Sequence, residues 1–99
     1  MVTLANPVHP GEVLNKDFLD EMNLTAGKVA KAIFVPRTRI ERIVKGEMGV
    51  TADTATRLSR FFGTSAEFWL NLQRSYDLAV AAKDEALAGD LDRIEKIAV

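Results

Sequence analysis

The chain has no cysteine, a single histidine, a single tryptophan, a single tyrosine and three prolines among its 99 residues. Without cysteine there is neither a disulfide framework nor a thiolate metal site, and a reducing cytoplasm is the compartment that suits such a composition. No apolar run approaches the ~18 residues a membrane-crossing helix needs. The opening MVTLANPVHPGE also lacks a basic segment followed by an apolar one, so neither export nor membrane insertion is expected. Groups for chemistry are equally scarce. Catalysis requires acids, bases, nucleophiles or metal ligands that converge. Here the one histidine, His9, stands beside Pro10, and the acidic pairs Asp20–Glu21 and Asp84–Glu85 are neighbours that diverge on a helix. His9 in that setting reads as a helix cap. No cofactor, no metal and no enzymatic activity are expected.

What is present is an ordinary globular composition, 47% hydrophobic and 27% charged, in a chain long enough for one domain with a modest core. There is no internal repeat and no low-complexity segment. The net charge of −1 is unevenly spread. Residues 1–24 carry −3, residues 25–45 carry +5, residues 46–62 balance, and residues 63–99 carry −3. A focused cationic stretch in a nearly neutral chain is the electrostatic footprint of nucleic-acid binding.

That stretch, TAGKVAKAIFVPRTRIERIVKG at 25–46, reads as two short helices around a tight corner. Val29, Ala30 and Ile33 recur at helical spacing before Phe34-Val35-Pro36 breaks the pattern. Ile40, Ile43 and Val44 then recur, and Gly46 is placed to end the second helix in the left-handed conformation. Two helices so joined make a helix-turn-helix, whose second helix can enter the DNA major groove. At about 100° per residue, Ile40, Ile43 and Val44 face a core while Thr38, Arg42 and Lys45 face outward and Arg39 lies on a flank. Arg37 stands at the tip, able to reach forward. Arg37, Thr38 and Arg42 are therefore the expected base readers, with Lys28, Arg39 and Lys45 as phosphate contacts that fix register. A plainer reading of the same residues is a solvated basic face, with Arg37–Glu41 and Glu41–Lys45 as ordinary surface pairs.

Around this motif, residues 1–8 read as a flexible segment. His9-Pro10-Gly11-Glu12 starts a helix with Val13, Leu14, Phe18 and Met22 inward and an end near Asn23. Thr25 is the expected N-cap of the next helix. The corner is unusual: Phe34 occupies a position that commonly needs positive φ and therefore glycine, at a strain of about 1–2 kcal/mol for other residues. Either Phe34 buries enough area to offset that strain, or the corner has another shape; the residues do not choose between them. Beyond the connector 47–50, Thr51 caps a helix from Ala52 to Phe62, closed by Gly63, with Ala55, Leu58 and Phe62 inward. Thr64-Ser65-Ala66-Glu67 reads as a capping box. It opens a helix in which Phe68, Trp69, Leu72, Tyr76, Ala79 and Val80 form an inward stripe. Leu70 and Leu78 project from another side; they are either isolated exposed leucines, which are common, or the surface where a second copy packs, since such readers bind paired half-sites as two-fold dimers. The acidic tail is helix-prone, with Gly89 as a break and Leu87, Leu91, Ile94 and Ile97 as a weak apolar face. Whether it pads the dimer, binds a partner or frays stays open.

HPGEVL at 9–14, the helix-turn-helix, and TADTATRLSRFFGTSAEFWLNLQRSYDL at 51–78 together resemble the HigA-type antitoxins of the phage-repressor-like (Xre) helix-turn-helix group, over about residues 8–80. The resemblance implies an all-α, five-helix domain, here residues 9–80; the helix-prone residues 81–99 form a C-terminal helical extension whose role the resemblance does not carry over. It further implies a homodimer that binds an operator overlapping its own promoter and pairs with a HigB-type, RelE-like ribonuclease toxin. The family's base-contacting positions fall on Arg37, Thr38 and Arg42. The chain departs from the family at Phe34 and at Glu47-Met48, where many relatives are more basic. Charge complementarity would place a basic toxin on the acidic flanks, about residues 10–22 and 66–99. A stand-alone Xre-type regulator without a toxin is the alternative.

Overall fold

The computed structural model describes residues 7–98; most of the segment read as flexible, residues 1–6, lies outside them. The described chain is helical throughout, with no strand. The first helix, α1, opens as an α-helical turn over Pro10–Val13 and continues as a wider π-helix over Leu14–Asp20. Then follow α2 (Ala26–Ala32), α3 (Arg37–Val44), α4 (Ala52–Phe62), α5 (Ala66–Ala82) and α6 (Glu85–Arg93). Among the described residues no helix is long and apolar enough to cross a membrane.

The caps explain where each helix begins and ends. Thr25, Thr51 and Ser65 each accept a hydrogen bond from the backbone N–H three residues on, satisfying a donor that the helix itself leaves open. The cap of α5 is Ser65, one residue later than the expected box. Thr64 is occupied elsewhere, its hydroxyl accepting the indole N–H of the fully buried Trp69 at 2.8 Å. That bond is what allows a polar ring edge into the core. Three helices end in one way. Asn23, Phe34 and Gly46 all have positive φ, and the next residue's N–H reaches back to the carbonyl five positions earlier, as in Leu24 to Leu19, Val35 to Ala30 and Glu47 to Arg42. This is the Schellman ending, which satisfies the last carbonyls of a helix. The first helix therefore stops before Asn23, and Met22, expected to face inward, is exposed.

One apolar cluster ties the helices together. It contains Leu14, Leu19, Val29, Ala30, Ile33, Ile40, Ile43, Val50, Ala55, Leu58 and Trp69, each full burial of a large side chain contributing about 1.5–3 kcal/mol. Phe18 meets the rings of Phe62 and Trp69 at 4.8 and 5.0 Å between centroids. Helix α2 packs on α3 and α4 on α5, while α1 touches both α3 and α5.

The inward stripe of α5 is narrower than its sequence suggests. Trp69 and Ala79 are buried and Leu72 and Tyr76 half-buried, but Phe68 and Val80 are exposed. Leu70, expected to project outward, is instead half-buried against the core. Helix α6 runs through Gly89 without a break, and it buries no residue. Ile94 and Ile97 lie past its end and are exposed.

Candidate nucleic-acid interface

Helix α3 has two sharply different sides. Ile40 and Ile43 are wholly buried, whereas Arg37, Thr38, Arg42 and Lys45 are exposed. The backbone starts helical geometry directly after Pro36, whose extended conformation serves as the N-cap; proline's fixed φ and missing N–H suit a helix start. At the other end Gly46, at φ 76°, closes the helix. The helix is thus eight residues long, gripped from behind by two isoleucines, with its polar side and tip open.

Each of the expected contact residues has a definite setting. The stem of Arg37 lies beside Gly27 of α2, where a Cβ would come within 3.3 Å of its Cδ, and its Nε is 3.4 Å from Glu41. It therefore folds over the motif instead of reaching forward. Such an exposed pair is worth under about 1 kcal/mol, so a base edge or phosphate can displace Glu41. Arg42 has only a long contact, 4.0 Å, to Glu47, and Thr38 is exposed beside it on the tip. Lys28 is exposed on α2. Arg39 is the exception: its guanidinium is held by Asp53 at 3.0 Å.

The helix is braced at three places, of which sequence reading marked only the His9 cap. His9 caps α1 by accepting the Gly11 N–H at 2.9 Å, and its ring meets Tyr76 of α5 edge-on at 4.9 Å. Burial pushes its pKa down against a smaller opposing pull from Asp77. Gln73 of α5 accepts the Val50 N–H at 2.7 Å, pinning the connector that follows α3. Arg57 of α4 donates to the carbonyl of Ile33 at 2.8 Å, so a guanidinium sits at the C-terminal end of α2, where positive charge is favoured. The Asp53–Arg57 pair is an i,i+4 acid–base pair readable from TADTATR; its tie to the corner is not, because it joins residues 24 apart.

Phe34 answers the question its position raised, and in neither of the two ways considered. The corner keeps its positive φ, 61°, and the ring gains almost no burial, being 86% exposed. The strain is carried without a compensating core contact. Beside it, Ile33, Phe34, Arg57, Arg60 and Phe61 line an open groove of about 430 Å³.

A helix-turn-helix family profile matches residues 16–69. The antitoxin HigA of Pseudomonas aeruginosa, solved with the higBA promoter, superposes with a TM-score of 0.84 at 37% identity, over 95% of this chain and all of that one. The chain belongs to the HigA-type helix-turn-helix antitoxins. Antitoxin HigA-1 of Vibrio cholerae is 37% identical over 77% of this chain and 71% of its own length. Virulence-associated protein I of Dichelobacter nodosus is 49% identical over 79% of this chain and 72% of its own. The five helices from α1 to α5 are the family's phage-repressor-like domain, and α6 is the extension. Among the described residues no group of three His, Asp or Glu side chains could hold a metal ion. Of the two leucines expected at a dimer surface, Leu78 is 62% exposed and Leu70 is half-buried.

Proposed function

We propose that this chain is a non-enzymatic antitoxin that binds the operator of its own operon as a homodimer and neutralises a HigB-type, RelE-like ribonuclease toxin. The observation that carries the DNA half is the open tip of α3, with Arg37, Thr38 and Arg42 free of the core while Ile40 and Ile43 anchor the opposite side. A relative of the same fold has been solved with promoter DNA. In this reading Arg37 and Arg42 donate to guanine edges, Thr38 offers a hydroxyl and a methyl, and Lys28, Arg39 and Lys45 hold phosphates. The second copy packs around Leu78, which has the exposure a contact residue needs. The toxin, a basic protein, meets the acidic faces of α1 and of α5 with α6.

The test is a binding assay on DNA from immediately upstream of the chain's own gene, with an unrelated duplex of equal length beside it. A preference of about a thousandfold or more at physiological salt is expected; equal affinity for the two would end the operator assignment. Co-expression with a small basic reading frame found beside the gene tests the toxin half, through co-purification and rescue of growth. Absence of any such frame would leave a stand-alone regulator.

A further inference from the structure

We propose that Asp53 is a positioning residue for operator reading: it aligns α3 by holding Arg39 and Arg57 on one carboxylate oxygen. The inference rests on the operator-binding reading above. Asp53 lies in the first turn of α4. Its Oδ1 accepts from Arg39 Nη1 at 3.0 Å and from Arg57 Nε at 2.8 Å. Arg57 in turn donates through Nη1 to the carbonyls of Ile33 and Phe34, at 2.8 and 3.5 Å. A single oxygen thus links the flank of the reading helix to α4 and, through Arg57, to the corner where α2 ends.

The placement runs against simple electrostatics. A carboxylate beside a cationic, DNA-facing helix lowers affinity for any duplex. It is also kept ionised: the hydrogen bond from Arg57 holds its pKa below the usual carboxylate value. A residue that repels phosphates yet anchors two arginines therefore acts through geometry. Arg39 is not withdrawn from DNA by this bond. A guanidinium carries five N–H donors, and the contact with Asp53 uses one of its ends, leaving the others for a phosphate while the plane is held.

Geometry and charge predict opposite signs for one substitution. Asp53→Asn keeps the size, removes the negative charge and, by making the acceptor neutral, weakens the hold on both guanidinium groups. Affinities of the full chain and its variants for the operator and for an unrelated duplex, over a range of salt, read both effects together. Affinity for unrelated DNA should rise, with a steeper salt dependence, while operator preference falls by about three- to tenfold, the range for two partly exposed ion pairs. In the Asp53→Asn background, Arg39→Gln should change operator preference far less than it does in the parent chain. Equal gains on both duplexes would show that Asp53 is only a charge. Additive effects of the two substitutions would show that Arg39 acts without it. Equal losses on both duplexes, with a lower melting temperature, would reduce the role to general stability. Each of these overturns the inference alone. A parent chain with no operator preference overturns the operator reading and this inference with it.

Discussion

Gly11 lies against the carbonyl of Ile43 with no room for a methyl group between them, since a Cβ built on Gly11 would collide with that oxygen. The start of α1 is thereby seated on the last turn of α3, and the carbonyl it covers also accepts the Gly46 N–H that closes the helix. Gly11→Ala must push two backbones apart, and overpacking of this kind costs about 1–3 kcal/mol. Thermal unfolding should show a clear fall in melting temperature, with weaker operator binding because the end of α3 moves. Gly89→Ala is the natural control. Nothing lies within 4 Å of its would-be Cβ, and replacing a helical glycine by alanine stabilises by roughly 0.5–1 kcal/mol. A Gly11→Ala chain that melts like its parent would show that the two helices are not in close contact.

Phe34 sets strain against exposure. Replacing it with glycine removes about 1–2 kcal/mol of left-handed strain, while a ring that is 86% exposed gives up little buried area. Phe34→Gly should therefore raise the melting temperature, by about 4–8 °C for each kcal/mol gained in a domain of this size. Differential scanning calorimetry measures it. A lower value would mean that the ring contributes more to the folded chain than its exposure indicates.

Much of this architecture was legible because it rests on local rules. Helix spacing separated Ile40 and Ile43 from Arg42 and Lys45, and Thr25, Thr51, Gly46 and Gly63 marked helix ends by their own chemistry. What was not legible depends on partners distant in sequence. Thr64 could not be removed from the capping box without knowing that Trp69 takes its hydroxyl, and Leu70 could not be placed against the core from a helical wheel on which two sides are apolar. Gly89 reads as a break because glycine disfavours helices, but a weak propensity does not outweigh the Asp84 cap and the helix-forming residues around it. Asp53 and Arg57 look like a surface pair until the corner carbonyls are in view.

The proposed dimer contact is best tested at Leu78 and not at Leu70. Leu70→Asp would bury a charge against the core and unfold the chain, confounding assembly with stability. Leu78→Asp places the charge on a residue that is 62% exposed. It should leave the stability of the monomer within about 0.5 kcal/mol of the parent while shifting sedimentation from dimer to monomer. A variant that still sediments as a dimer would move the interface off this side of α5.

Readers and positioners should separate in binding data. Arg42→Ala is expected to lose about 1–3 kcal/mol on the operator and to relax preference at one base pair. Lys28→Ala should weaken every duplex alike and flatten the salt dependence by about one unit of slope. If both substitutions lower affinity without altering preference, α3 binds DNA but does not read it.

His9 gives the fold a sign for its response to acid. Its Nδ1 accepts the Gly11 N–H, which only the neutral ring can do, and burial lowers its pKa from the ordinary 6.5. The folded chain therefore binds this proton less readily than the unfolded one. The stability it contributes is complete above pH 6.5 and is lost as the pH falls through the lower folded value. Because His9 caps the turn that carries Gly11, the same fall should loosen the seat of α3 and weaken operator binding. His9→Asn keeps a good capping side chain and removes the titration. Melting temperatures between pH 8 and pH 5 should decline more steeply for the parent than for the variant. Parallel curves would assign the acid response to other groups and leave His9 as a cap alone.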